Sequence, residues 1–182
     1  SDLLLKLIND ILDLSRIESG SMSFSYENLD LSKLMGDIFH THQLMMPEGV
    51  ELKIRVPHEP LIIRSDHFRL TQVGTNFINN AVKFTAKGYI EIGYELSADG
   101  KSILISVKDT GKGIPDDKKE KVFERFQKLD EFAQGTGLGL AICQSIVHTF
   151  HGSISLESEV GVGSKFSISL PYTPGLELEE RT

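Results

Sequence analysis

The sequence predicts a two-layer α/β domain, with one antiparallel or mixed sheet covered on one face by helices and an amphipathic helix in front of it. Three observations carry this expectation. Residues 50–56, 89–96, 102–108, 153–158 and 164–170 alternate apolar and polar side chains, the period of a strand with one buried face. Helical spacing occupies the segments between several of these runs, and interleaved helices and strands of this kind bury one sheet face under a helical layer. The first nineteen residues repeat apolar side chains every three or four positions, apart from the rest.

The opening segment, DLLLKLINDILDLSRIES, places Leu4, Leu7, Ile11 and Leu14 on one stripe, widened by Leu3, Ile8 and Ile17. A single helix cannot bury its own stripe, so a partner helix or second chain is expected. Gly20 can end it. Residues 21–30 are Ser-rich and read as a short strand or extended linker. Helical spacing resumes through Leu31, Leu34, Ile38 and Phe39 until Pro47 and Gly49. Asp66 suits the N-cap of a helix carrying Phe68, Leu70, Val73, Phe77, Ile78 and Val82. The turn SADGK joins the two strands at 89–96 and 102–108. Residues 110–113 form a glycine-containing loop, 116–126 are charged and partly helical, and 127–137 read as a loop. A helix from Gly139 to about Phe150 precedes the last two strands, which meet at EVGVG. The tail from Pro171 is polar.

Composition narrows the function classes. A hydrophobic fraction of 40% with 10 Phe is enough apolar material for a packed core without staples. The formal net charge of -7 disfavours nonspecific binding to nucleic acid, whose phosphates it repels. One cysteine, Cys143, excludes an intrachain disulfide and, in LAICQSIV, reads as a packed thiol. No apolar run approaches the length that crosses a bilayer, and no signal peptide is visible.

Four constellations carry chemistry. In NFINNAVKF, Asn76, Asn80 and Lys83 are spaced four and three apart and share one helix face. Carboxamide oxygens suit a hard cation and an ammonium suits phosphate, although a solvated polar face has the same pattern. In DTGKGI, Asp109 ends a strand and two spaced glycines follow, so backbone can approach a ligand while the carboxylate accepts from an exocyclic amine. An ordinary turn would look similar. In GTGLGLAI, Gly135, Gly137 and Gly139 precede an apolar helix, where backbone N–H groups can surround phosphate oxygens. It has neither the GK[ST] of a Walker A loop nor a leading strand. GVGSKF, at a strand connection, reads first as structural, with an indirect part in shaping a pocket.

In order, NFINNAVKF, DTGKGI, VFERF, GTGLGLAI and GVGSKF resemble the N, G1, F, G2 and G3 boxes of sensor histidine kinases, over about residues 31–170. Their ATP-binding domain belongs to the group shared with gyrase, Hsp90 and MutL, and the resemblance implies its α/β sandwich, with ATP and Mg2+ as ligands. By that resemblance Asn80 leads the magnesium ligands, Asn76 helps place metal and phosphates, and Lys83 neutralises phosphate charge. Asp109 would hold the adenine amino group, with Gly111, Gly113 and Ile114 around the nucleotide. Residues 115–137 would form a lid anchored by Phe123 and Phe126, with Arg125 or Lys128 facing phosphates. Gly135, Gly137 and Gly139 would form its flexible end, with Thr136, Leu138 and Leu140 beside them in contact with the nucleotide.

LLLKLINDILDLSRIESG resembles the second helix of the family's dimerisation and histidine-phosphotransfer domain. The implied organisation is that helix over 1–20, a linker strand over 21–30, the ATP-binding domain over 31–171 and a polar tail over 172–182. The family acceptor histidine lies on the preceding helix, and none of His40, His42, His58, His67, His148 or His151 has its context. The expectation is therefore ATP binding without autophosphorylation by this chain alone. The implied partners are an acceptor histidine domain of the same protein, a response-regulator receiver domain and a second copy in a homodimer, with no nucleic acid. The implied location is the cytoplasmic side of a parent, of simple or hybrid type, anchored in the bacterial inner membrane. A gyrase-like or MutL-like ATPase is the nearer rival, opposed by Asn76, where those relatives usually carry a glutamate that activates water. A pseudokinase that only binds partners is the other.

Overall fold

A computed structural model of the chain describes residues 2–125 and 137–174. Helix α1 (Asp2–Glu18) leads to β1 (Glu27–Asp30), α2 (Leu31–Gln43), β2 (Val50–Arg55), β3 (Ile62–Ser65) and α3 (His67–Phe84). Strands β4 (Gly88–Leu96) and β5 (Ser102–Asp109) follow, then α4 (Gly139–Thr149), β6 (Ser153–Glu159) and β7 (Gly163–Pro171). Five strands form one mixed sheet in the order β2-β4-β5-β7-β6, parallel between β2 and β4 and antiparallel elsewhere. This is the α/β sandwich that the alternating runs predict.

The two faces of the sheet follow from the period of two. Ile90 and Ile92 on β4, Ile103, Ile105 and Val107 on β5, and Phe166, Ile168 and Leu170 on β7 point inward and are buried. Across them lie Leu34 and Ile38 of α2, Phe77 and Ile78 of α3, and Ile142 and Ile146 of α4, all buried. Phe77 meets Phe166 at 5.5 Å between ring centroids, and burying one such ring contributes roughly 1.5–3 kcal/mol. On the outer face, register aligns Lys53, Glu91, Lys108, Lys165 and Glu157 in one row across all five strands.

Side-chain caps start two helices. Asp30 accepts from the Lys33 N–H at 3.2 Å, and Asp66 accepts from the Arg69 N–H at 2.9 Å, as its position in the sequence predicts. The strand expected somewhere in 21–30 is confined to β1. Its partner, β3, lies between Pro60 and Asp66 and pairs with it as a separate two-stranded sheet. Helix α2 ends at Gln43, before the expected 46, leaving Leu44 and Met45 exposed.

Helix α1 divides its apolar side chains. Leu7, Leu14 and Ile17 face the domain, whereas Leu4 and Ile11, expected on the same stripe, are exposed together with Leu3, Leu5, Ile8 and Leu12. The inward face is partly polar. Asp13 accepts from the Gln72 amide at 2.9 Å, Gln72 accepts from Arg69 at 3.0 Å, and Arg69 donates to the Ser23 carbonyl at 3.2 Å. These bonds tie α1 and residues 21–26 to the first turns of α3.

Candidate functional site

Asp109 continues the inward row of Ile103, Ile105 and Val107 to the last residue of β5, so the alternation that builds the core delivers a carboxylate to its rim. Asp109 is 2% exposed. Ile90 and Ser164 flank it in register on β4 and β7. Its Oδ1 accepts from the Gly111 N–H at 2.9 Å and the Ser164 N–H at 3.3 Å. Burial pushes its pKa up, and the two N–H donors oppose that shift. Among the described residues nothing donates to Oδ2, which leaves an acceptor for a ligand.

The two loop glycines meet the protein's own backbone. A Cβ on Gly111 would lie 2.2 Å from the Phe84 carbonyl, and one on Gly113 would lie 2.2 Å from that of Glu159. Gly113 also has φ +76°, which side chains rarely adopt. Both keep the loop tight against α3 and the β6–β7 connection. The Lys112 N–H seals the first contact, donating to Phe84 at 3.1 Å. Ile114 is buried, and its N–H donates to the Ser158 hydroxyl at 2.7 Å. Ser158 in turn donates to the Gly163 carbonyl at 3.0 Å and lies 2.7 Å from the Ser164 hydroxyl.

Helix α3 carries Asn76, Asn80 and Lys83 on successive turns toward this loop. Asn76 and Asn80 are half-buried and Lys83 is exposed. The Asn80 carboxamide makes no hydrogen bond among the described residues. Asn76 instead turns toward α4, with Nδ2 at 3.4 Å from the Gly139 carbonyl and 3.6 Å from Cys143 Sγ. Cys143 is fully buried, and desolvation pushes its thiol up to about 12. At the end of α3, the Thr85 hydroxyl is buried without a hydrogen-bond partner among the described residues, facing Gly111.

Beyond Ile114, two 3-10 turns, Asp116–Lys118 and Lys121–Phe123, bring the chain back to the core. Phe123 sets its ring edge-to-face on Phe166 at 6.1 Å, and Val122 is buried. Arg125, one of two residues for which phosphates are the expected neighbours, pairs with Glu18 at the end of α1. Phe126, Lys128, Gly135 and Thr136 lie outside the described residues. Gly137 and buried Leu138 lead into α4 at Gly139 and Leu140, and among the described residues no side-chain hydrogen bond caps that helix start. Uncapped N–H groups at a helix start attract anions.

The rim thus combines a buried carboxylate, a carboxamide and an ammonium on α3, and an open helix start. Residues 65–174, which span all of these, match the family model described as histidine kinase-, DNA gyrase B-, and HSP90-like ATPase. The chain belongs to that family. Within this ATPase family it is the ATP-binding catalytic domain of histidine kinases. It is 37% identical over 177 residues to the sensor histidine kinase RcsC of Escherichia coli, covering 94% of this chain and 18% of that protein. It is 34% identical over 183 residues to hybrid signal transduction histidine kinase D of Dictyostelium discoideum, covering 96% and 12%. The chain therefore spans under a fifth of either relative. Full-length ShkA in complex with AMPPNP superposes with a TM-score of 0.84 at 32% identity, over 93% of this chain and 36% of that one. The catalytic domain of histidine kinase ThkA gives 0.71 at 28%, over 83% and 100%.

Within this ATPase domain, Ser158, Ser164 and Thr85 escape a reading of the sequence. GVGSKF marks the β6–β7 turn, but a serine there carries no sign that its backbone reaches the carboxylate. Among the described residues no three His, Cys, Asp or Glu side chains gather as a metal site. His42 is buried with Nδ1 at 2.8 Å from the Ile38 carbonyl. The unengaged amide of Asn80 offers the kind of oxygen that a hard cation such as Mg2+ accepts as a ligand. No described helix is long and apolar enough to cross a membrane.

Proposed function

We propose that this domain binds ATP with Mg2+ and directs its γ-phosphoryl group to a histidine imidazole on a dimerisation domain, for onward transfer to a receiver aspartate. The observation that carries the reading is Asp109, a buried carboxylate with one oxygen held by backbone and the other open at the rim. The adenine amino group is a donor of the matching kind. Asn80 supplies a metal ligand and Lys83 a point charge for the phosphates, while the start of α4 offers backbone N–H groups to them. Asn76 lies one turn before Asn80 with its amide turned to α4, so the metal falls to Asn80 among these side chains. Magnesium, when bound, neutralises charge on the phosphates. The protein groups position and neutralise, and no covalent residue is required of them because a neutral imidazole is itself the nucleophile.

Helix α1 is the element to which the acceptor would be joined. Its outward residues Leu4, Leu5, Ile8, Ile11 and Leu12 are spaced as a second apolar stripe, which suits pairing with another helix of a dimerising bundle. We assign residues 1–20 to that bundle, 21–30 to the linker and 31–171 to the ATP-binding domain. We place this domain on the cytoplasmic side of a parent sensor kinase anchored in a membrane.

Titration with ATP, with and without magnesium, beside Asp109→Ala tests the reading. Magnesium-enhanced binding that the variant loses supports it, and phosphate appearing on an added acceptor-histidine domain completes it. Folded wild-type protein that binds no ATP overturns it.

A further inference from the structure

We propose that Asn76 is a positioning residue for the start of α4, and not a metal ligand. This rests on the nucleotide reading above and assigns Asn76 a different part in the same site. A metal takes the oxygen of a carboxamide, whereas a backbone carbonyl takes its N–H. The structure gives Asn76 the second role. Its Nδ2 reaches the Gly139 carbonyl at 3.4 Å and the Cys143 sulfur at 3.6 Å, one turn further along α4. Both partners belong to α4, whose first turn has no side-chain cap among the described residues and is the one proposed above to meet the phosphates. Its oxygen is also turned that way, since a Cβ on Gly139 would sit 3.4 Å from both Asn76 Cγ and Oδ1.

The surroundings hold this arrangement. Cys143 is fully buried between the two helices, with its sulfur 4.0 Å from the Val73 carbonyl one turn earlier on α3. Asn76 therefore braces α4 at the point where it leaves Gly137 and Leu138. Asn80, with no such partner among the described residues, keeps its oxygen for the cation. The paired asparagines thus divide the work: one sets the helix that offers N–H groups to phosphate, and the other binds the metal.

The experiment compares Asn76→Ala, Asn76→Asp and Asn80→Ala in the full chain. Nucleotide affinity is measured with and without magnesium, and amide exchange of residues 139–143 is measured without nucleotide. A lost hydrogen bond of this kind is expected to weaken binding by about five- to tenfold. Asn76→Ala should do so equally with and without magnesium, while Asn80→Ala abolishes the magnesium dependence. Asn76→Asp, which keeps the oxygens and loses the N–H, should bind weakly even in magnesium, and both Asn76 variants should exchange faster at 139–143. Asn76→Asp that binds magnesium-ATP as well as wild type overturns the proposal. So does Asn76→Ala that loses magnesium dependence as Asn80→Ala does, or unchanged exchange at 139–143. Wild-type protein that binds no ATP overturns the nucleotide reading and this role together. Binding that Asp109→Ala abolishes, with Asn76→Ala behaving as Asn80→Ala, overturns this role alone.

Discussion

The Ser164 backbone N–H donates to Asp109 Oδ1 at 3.3 Å across the paired ends of β7 and β5. Together with the Gly111 N–H it holds a carboxylate that burial would otherwise disfavour. The balance still leaves the Asp109 pKa raised, with desolvation the largest cause.

The raised value has a sign. Folded Asp109 keeps its proton to higher pH than the unfolded chain does. Its contribution to stability is complete below the unfolded carboxyl range, near pH 4, and is lost as pH rises through the folded value. Asp109→Asn, which keeps an acceptor for both N–H groups, should therefore raise the melting temperature of the ligand-free protein at pH 7. That gain should shrink as pH falls through 4. The same variant should weaken ATP binding on the order of 10- to 100-fold, the worth of a hydrogen bond to a charged group. Calorimetry at several pH values and a nucleotide titration check both. A variant less stable than wild type at pH 7 contradicts the assignment of burial as the dominant cause.

Thr85 predicts another gain of stability. Its hydroxyl is buried without a partner among the described residues, a cost of about 1–3 kcal/mol to the folded state. Thr85→Val keeps the shape and removes the polar atom. Thermal unfolding should show a rise of a few degrees, on the order of that cost for a domain of this size. Thr85→Ser, which keeps the hydroxyl and loses a methyl, should fall below wild type.

The legibility of the site divides along physical lines. The faces that carry Asn80, Lys83 and Asp109 are readable because helix and strand periods set them without reference to anything distant. Asp66 is half readable. Its N-cap bond to Arg69 follows from local rules, whereas its bond to the Ser25 N–H at 2.6 Å joins residues forty-one apart. The pairing of Arg125 with Glu18 is of the same long-range kind, since two exposed charges carry no spacing signal. Strand β3 escapes for a different reason: four residues just after Pro60 are too short for a period to register. Asn76 shows the limit inside a motif. Spacing gives its face, but only the position of α4 shows which end of its amide is engaged.

The contact of α1 with α3 should be separable from folding. Asp13 and Gln72 are half-buried and bonded at 2.9 Å, and Gln72 also receives Arg69. Gln72→Ala removes the bridge while Asp66 still caps α3. Amide exchange should rise along α1 by several-fold, with little change in the sheet, and the free energy of global unfolding should change by about 1 kcal/mol or less. Equal loosening of α1 and the sheet would mean that the helix is an integral part of the core.

Cys143 gives the most direct check on how the two helices meet. Its side chain is fully buried against Asn76 and Val73, and desolvation holds the thiol near 12, so thiolate is scarce at neutral pH. A thiol reagent should therefore label the native protein only as fast as it opens, and label it at once in denaturant. Because the blocking contacts come from α3, Asn76→Ala should speed labelling without a matching fall in global stability. Labelling of the native wild type at the rate of a free thiol would place Cys143 at the surface and separate α4 from α3.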